Sequence, residues 1–240
     1  IIFQTAYFYG PLDAFLKYLK NKDVADINLP SAAVPTAQAA NDTGMVVYGN
    51  AGGNIPATRS WDGAEFSSPG SAGAAVSTIQ YVINEGAPNR TEHILGTSSS
   101  TGVTTFQVYN GSWGNSFSST PGVGAKNGEY RGFDVAYEQL SGDGLVVYED
   151  SSTANTNIKY KTWDGSSWSG ERSLTVNSAN VLWAKMEIKP LSNEIMLVTL
   201  DSLSDIYAYV WNGSSWGNAQ LLTNSAAITT NNMFDVAYKY

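Results

Sequence analysis

One histidine, no cysteine and four scattered arginines narrow the chemistry open to this chain. With His93 alone, no histidine cluster can hold a metal, and no thiolate site exists. His93 lies in the strand-like run EHILGT and reads as a packed or surface residue. A site that grips a sugar acid by its carboxylate needs clustered arginines. Arg59, Arg90, Arg131 and Arg172 instead fall in four different stretches at unlike positions. Glu149-Asp150 and Asp201 with Asp205 offer oxygens to Ca²⁺, but no loop pattern fixes a cage around an ion. They read as solvated turn acids. No glycine-rich phosphate loop of useful spacing occurs. The expectation is therefore no catalytic residue, no metal site and no cofactor.

What recurs is an aromatic motif. SWDGAEF from Ser60, VYNGSWG from Val108, TWDGSSW from Thr162 and VWNGSSW from Val210 share an aromatic, an Asp-Gly or Asn-Gly step, and a second aromatic. The leading aromatics Trp61, Tyr109, Trp163 and Trp211 are 48, 54 and 48 residues apart. The second aromatics are Phe66, Trp113, Trp168 and Trp216. Aromatic pairs of this kind pack across a hairpin or between neighbouring sheets. Trp61, Trp113, Trp168 and Trp216 are the candidates for contact with a ligand.

The positions between the motifs repeat too. FDVAYEQLSGDGLVVYED, from Phe133, aligns with WAKMEIKPLSNEIMLVTLD, from Trp183, and more faintly with AQAANDTGMVVYGN and TIQYVINEGAPNRTEHILGT. FDVAYE alternates with period two, as a strand does. Gly142-Asp143-Gly144 turns the chain. LVVYED is a second strand and NIKYKTW a third. Asp164-Gly165 makes a tight turn in which both residues tolerate positive φ, and a fourth strand begins at Ser167. Four antiparallel strands in a period of about 50 residues define a β-propeller blade.

The motif resembles the Asp-box repeats of sialidase-like propellers, and its spacing is similar to that of propeller lectins and of large repetitive cell-surface proteins. Here Gly follows Asp directly, the second aromatic sits one place earlier, and Asn stands for Asp at Asn110 and Asn212. The resemblance covers residues 37 to 240 and implies an all-β propeller. Four units are present, and FDVAYKY at Phe234 begins a fifth, so the expectation is a piece of a larger ring.

Residues 1–33 fall outside the repeat and 34–240 form the blades. Pro11 to Lys20 reads as a short helix with Leu12, Phe15, Leu16 and Leu19 on one face. Together with the apolar start IIFQTAYFYG, this segment is expected to join the propeller to other copies or subunits of a surface assembly, with membrane contact only through an upstream segment.

A net charge of −8 with no basic stripe excludes nucleic acid as a partner. Four Asn-X-Ser/Thr sequons, at Asn41, Asn89, Asn110 and Asn212, are candidate glycosylation sites. With the absence of cysteine they point to an extracellular or cell-surface protein. The leading expectation is a non-enzymatic surface or filament subunit, or an adhesin head. The alternative is a carbohydrate-binding propeller lectin. A sialidase-like glycoside hydrolase ranks below both.

Overall fold

The computed structural model describes residues 44–50, 53–119, 129–149, 157–175 and 180–239. The chain divides into Ile1–Ala40 and Asn41–Tyr240. The first unit lies outside the described residues, and with it the expected Pro11–Lys20 helix, the anchoring role of residues 1–33 and the sequon at Asn41.

Every regular element described is a strand, and the strands form four antiparallel sheets in chain order. The first holds β1 (Gly44–Tyr48), β2 (Ala57–Trp61) and β3 (Gly70–Ser71). The second holds β4 (Ile79–Gly86), β5 (His93–Ser99), β6 (Thr104–Tyr109) and β7 (Trp113–Ser118). The third holds β8 (Phe133–Tyr137), β9 (Gly144–Glu149), β10 (Asn157–Trp163) and β11 (Arg172–Thr175). The fourth holds β12 (Val181–Ile188), β13 (Ile195–Asp201), β14 (Ile206–Trp211) and β15 (Trp216–Thr223). Each pairs only with its sequence neighbour, so each sheet is a meander and each meander is one blade. The chain is an all-β propeller, as its repeat implies.

The blades stack through their faces. Alternation along β8 and β9 divides their side chains between two cores. Phe133, Val135, Tyr137, Val146 and Tyr148 meet Ile94, Phe106 and Val108 of the second blade. Ala136, Leu145 and Val147 meet Ala184, Met186, Ile195 and Leu197 of the fourth. The third blade is thus buried on both faces, which is why LVVY reads as a continuous apolar run. Asp134 adds a polar stitch: its Oδ2 accepts the Met186 amide of β12 at 2.6 Å. Burial nevertheless raises its carboxyl above the usual range, against the opposing pull of Arg131.

Two expectations need correction. In the third blade the fourth strand begins at Arg172, not at Ser167. Only an isolated bridge joins Trp163 to Trp168, and the Ser169 hydroxyl takes the Thr162 amide at 3.0 Å in place of a ladder bond. The first blade repeats this, with the Ser60 amide donating to the Ser67 hydroxyl at 3.0 Å. In the second and fourth blades Gly follows the aromatic. Asn115 (φ 48°) and Asn218 (φ 51°) then bulge the strand, and pairing starts at once. The second correction concerns the acids. Glu149 is buried within β9, and Asp201 is buried and caps its turn by accepting the Leu203 and Asp205 amides at 2.8 and 3.0 Å. Neither is a solvated turn residue, because each closes a hydrogen-bonded or packed position that a mobile carboxylate could not.

Candidate functional site

The recurring motif closes the hairpin between the last two strands of each blade. Gly63, Gly111, Gly165 and Gly213 have φ of 100°, 75°, 92° and 94°. The turn is not the two-residue form expected from Asp-Gly. In three blades four residues bridge the aromatics, and only the glycine has positive φ. The side-chain oxygen of the first residue supplies the closure. Asp164 Oδ1 accepts the Ser166 and Ser167 amides, both at 2.8 Å. Asp62 Oδ1 accepts from Ala64 and Glu65 at 2.8 Å, and Asn212 Oδ1 from Ser214 and Ser215 at 3.0 Å. Bonds from the Ser166 hydroxyl and from the Ser167 and Ser166 amides hold the Asp164 carboxyl well below the usual range. The second blade is one residue shorter, and the Asn110 amide reaches Ser112 O at 3.1 Å.

The flanking aromatics pair across every hairpin. Ring centroids are 4.9 Å apart for Trp61–Phe66, 5.2 Å for Tyr109–Trp113, 5.3 Å for Trp163–Trp168 and 5.5 Å for Trp211–Trp216. The two members face different surroundings. Trp163 and Trp211 are buried, and their indole N–H groups donate across the blade boundary to Glu92 (3.0 Å) and Glu138 (2.6 Å). Phe66 is exposed, while the other second aromatics lie half-buried against the preceding blade. Trp113 backs onto Gly73 of the first blade. Trp168 donates to Asn115 O at 2.7 Å and stacks edge-on against Phe117, 5.1 Å away, on the second blade. Trp216 meets Tyr160 of the third at 6.1 Å. Three of the four candidate ligand-contact residues thus hold one position at successive blade boundaries. Trp61 is the leading aromatic of its own hairpin and also half-buried.

Several polar groups surround Trp168. Lys161 Nζ sits 4.5 Å over the Phe117 ring. The Tyr148 hydroxyl donates to Glu171 Oε2 at 2.7 Å, and Lys159 Nζ lies 3.6 Å from Glu171 Oε1. An aromatic wall edged by a cation, a carboxylate and a main-chain carbonyl can hold a polyhydroxylated ring by stacking and hydrogen bonding.

A concavity of about 730 Å³ opens where the inner strands converge, between Tyr81, Arg131, Trp183, Lys185, Phe234 and Asp235. Its charges are paired within the protein. Arg131 Nη1 lies 3.7 Å from Asp134, its Nη2 donates to Ala184 O at 3.1 Å, and Lys185 lies 3.4 Å from Asp235. The other three arginines do not join Arg131: Arg59 is exposed on β2 and Arg172 on β11. Arg90 is held by Glu92 at 2.7 Å. His93 is half-buried at the start of β5, and burial lowers its pKa. Among the described residues no group of three or more metal-binding side chains occurs.

The sequons at Asn89, Asn110 and Asn212 are exposed. The Asn89 amide donates to Ser141 O of the third blade at 3.2 Å. The inter-blade glutamates escape sequence reasoning. Glu92 and Glu138 stand at opposite ends of equivalent loops, so no alignment of the repeats pairs them.

No family model matches the chain, and no curated protein matches it in sequence. Its shape does have counterparts among solved structures. The BP39L lectin of Burkholderia pseudomallei superposes with a TM-score of 0.51 at 12% identity, over 76% of this chain and 52% of that one. AofleA of Arthrobotrys oligospora gives 0.50 at 14% identity, over 78% and 55%. The fungal lectin of Aleuria aurantia, a six-bladed propeller described with a fucose recognition mode, gives 0.49 at 13%, over 77% and 58%. This chain spans little more than half the length of each. The likeness is one of fold: propeller blades of the kind found in the BP39L lectin and AofleA.

Proposed function

We propose that this chain is a non-enzymatic, carbohydrate-binding propeller. The observation that carries the reading is the recurrence of a half-exposed indole at successive blade boundaries, Trp113, Trp168 and Trp216, each set against the preceding blade. Repeated shallow sites of this kind suit repeated sugar units. The blade-level likeness to the BP39L lectin supports the same reading, and favours it over a purely structural filament or adhesin subunit. At the third blade, Trp168 supplies the stacking face, and Lys161 and Glu171 supply hydrogen bonds. The ligand class is a neutral or mildly anionic glycan. We place the protein outside the cell on the strength of its four sequons.

The test is a glycan array probed with the wild-type chain and with Trp168→Ala, followed by tryptophan-fluorescence titration with any sugar retained. The expected result is binding to at least one glycan class, weakened about tenfold by Trp168→Ala, or about 1.4 kcal/mol. No binding across the array would overturn the reading. Attachment through residues 1–33 is a separate proposal, tested by comparing the solution mass of the 1–240 and 31–240 chains. Equal monomer masses would dismiss it.

A further inference from the structure

We propose that the groove between the second and third blades takes a sugar that carries a carboxylate, with Lys161 as the group that recognises it. The inference rests on the carbohydrate-binding reading and adds to it the charge of the ligand and the place where that charge is read.

The repeat locates the deciding position. Two residues before each leading aromatic, the side chain falls on the same face of its strand as the aromatic itself, toward the preceding blade. That residue is Gln107 on β6, Lys161 on β10 and Tyr209 on β14. Gln107 is buried, and its Oε1 accepts the Ala74 amide, just after β3, at 2.9 Å. Tyr209 is buried in the core that the third and fourth blades share. Both side chains close their boundary. Lys161 is half-buried and puts an ammonium group into its own. In the first blade Arg59 holds the place and is exposed.

Four residues before the aromatic the contrast recurs. Thr105 and Tyr207 are neutral there, whereas the third blade has Lys159. The two lysines are engaged differently. Lys159 Nζ donates to Ser173 Oγ at 3.0 Å and lies 3.6 Å from Glu171 Oε1. The other Glu171 oxygen accepts the Tyr148 hydroxyl at 2.7 Å, so this carboxylate is held from two sides. Lys161 Nζ rests 4.5 Å from the Phe117 ring centroid, and no carboxylate among the described residues pairs with it. A ring face attracts an ammonium without using its N–H groups as a carboxylate does. Those donors are left for an acceptor that arrives from solvent.

The stacking face stands beside them. Phe117 joins the two parts, since its centroid is also 5.1 Å from that of Trp168. The Trp168 indole is pinned by its bond to Asn115 O at 2.7 Å. A pyranose laid on the exposed part of that indole brings an exocyclic carboxylate within reach of Lys161. A charged acceptor offsets the loss of the Phe117 contact better than a neutral hydroxyl does, because charge-assisted bonds are the stronger ones. Glu171 accepts from ring hydroxyls and repels a carboxylate turned the other way, which fixes the orientation of the sugar.

The test pairs each acid sugar with its own methyl ester, so that charge alone differs. The probes are the methyl glycosides of glucuronic, galacturonic and sialic acid, titrated by tryptophan fluorescence. At least one acid is expected to bind about tenfold more tightly than its ester. That gap should shrink as salt is raised. Lys161→Gln should weaken the acid to the level of its ester, and Lys161→Arg, which keeps the charge, should retain the preference. Thermal midpoints of both variants verify that they fold. Equal affinity for acid and ester in the wild type would overturn the proposal and leave a neutral-sugar site at Trp168 standing. A gap that survives Lys161→Gln would overturn Lys161 as the recognising group. Failure of every acid to bind, while neutral glycans do, would also dismiss the proposal alone. Failure of all glycans would dismiss the carbohydrate-binding reading with it.

Discussion

At the tip of the third hairpin, Gly165 has φ of 92°, a conformation that strains any residue with a Cβ. An added Cβ would also meet the Arg90 guanidinium at 3.1 Å, and that group is held by Glu92 and by the Gly142 carbonyl. Gly63 has the same conformation, but nothing lies within 4 Å of its added Cβ. The two positions separate backbone strain from crowding. Gly63→Val is expected to cost about 1–3 kcal/mol from strain alone. Gly165→Val should cost more, because it also displaces the arginine. Ser166→Ala removes one exposed hydroxyl bond to Asp164 and leaves the Ser166 amide in place, so its effect should stay within about 0.5 kcal/mol. Chemical denaturation of the three variants checks the order, and equal midpoints for Gly165→Val and Ser166→Ala would refute the turn assignment.

The blade is the element, and it is joined to its neighbour by a buried carboxylate. Glu92 Oε1 gathers the Trp163 indole N–H at 3.0 Å, the Tyr137 hydroxyl at 3.3 Å and Arg90 Nη2 at 2.7 Å. Two of these donors belong to the third blade. Burial and the adjacent carboxylate together drive the Tyr137 hydroxyl far above the usual phenol range, so it acts only as a donor. Glu92→Ala strands the Trp163 and Tyr137 donors and leaves the Arg90 guanidinium with the Gly142 carbonyl alone. About 3 kcal/mol is expected, the low end for breaking a buried pair, because Arg90 keeps 29% of its side chain exposed. Glu92→Gln keeps an acceptor for Trp163 and should lose less. Thermal midpoints, read with the fluorescence of the indoles, distinguish the two; equal losses would mean that charge rather than acceptor geometry holds the boundary. The same contacts show what a sequence makes legible. The hairpin and the blade can be read because their residues are local and recur about every 50 positions. The bond between Trp163 and Glu92 spans 71 residues and that between Trp211 and Glu138 spans 73, with the glutamates at unlike positions. No period reveals such a pair. Glu149 and Asp201 read from the sequence as turn acids, and only the folded blades bury them. The candidate site is legible to the same extent: the spacing identifies Trp113, Trp168 and Trp216, but not the neighbouring blade that each one rests on.

Across the whole molecule, stacking acidic blades with a net charge of −8 has a consequence for pH. Burial raises Asp134, Glu138 and Asp201 above the usual carboxylate range. Glu85 is exposed at the end of β4, yet desolvation of its carboxyl, reinforced by the charge of Asp134, pushes it up to about 7. For these acids the folded state holds protons that the unfolded chain releases above about pH 4. Their stabilising contribution is complete below that range and is lost as pH rises through the raised values. Two sets of groups act in the opposite sense. Asp62, Asp164 and Asp235 are lowered by hydrogen bonds, so their contribution is lost only as pH falls below about 4. His93 is lowered by burial, so the fold loses stability as the unfolded imidazole takes up a proton below about pH 6.5. One histidine opposes four carboxyls, and between about pH 7 and 8 it no longer titrates. The thermal midpoint is therefore expected to fall as pH rises from about 5 to 8, with Glu85, its effect reduced by solvent screening at an exposed position, contributing part of the drop near neutrality. Glu85→Gln removes the titrating group and keeps its shape, so it should flatten the slope in that upper part while leaving the midpoint at pH 5 nearly unchanged. Calorimetric scans of both proteins at four pH values decide the matter: a wild-type midpoint that rises across the window, or a variant slope identical to that of the wild type, would show that the Glu85 carboxyl is already ionised in the fold.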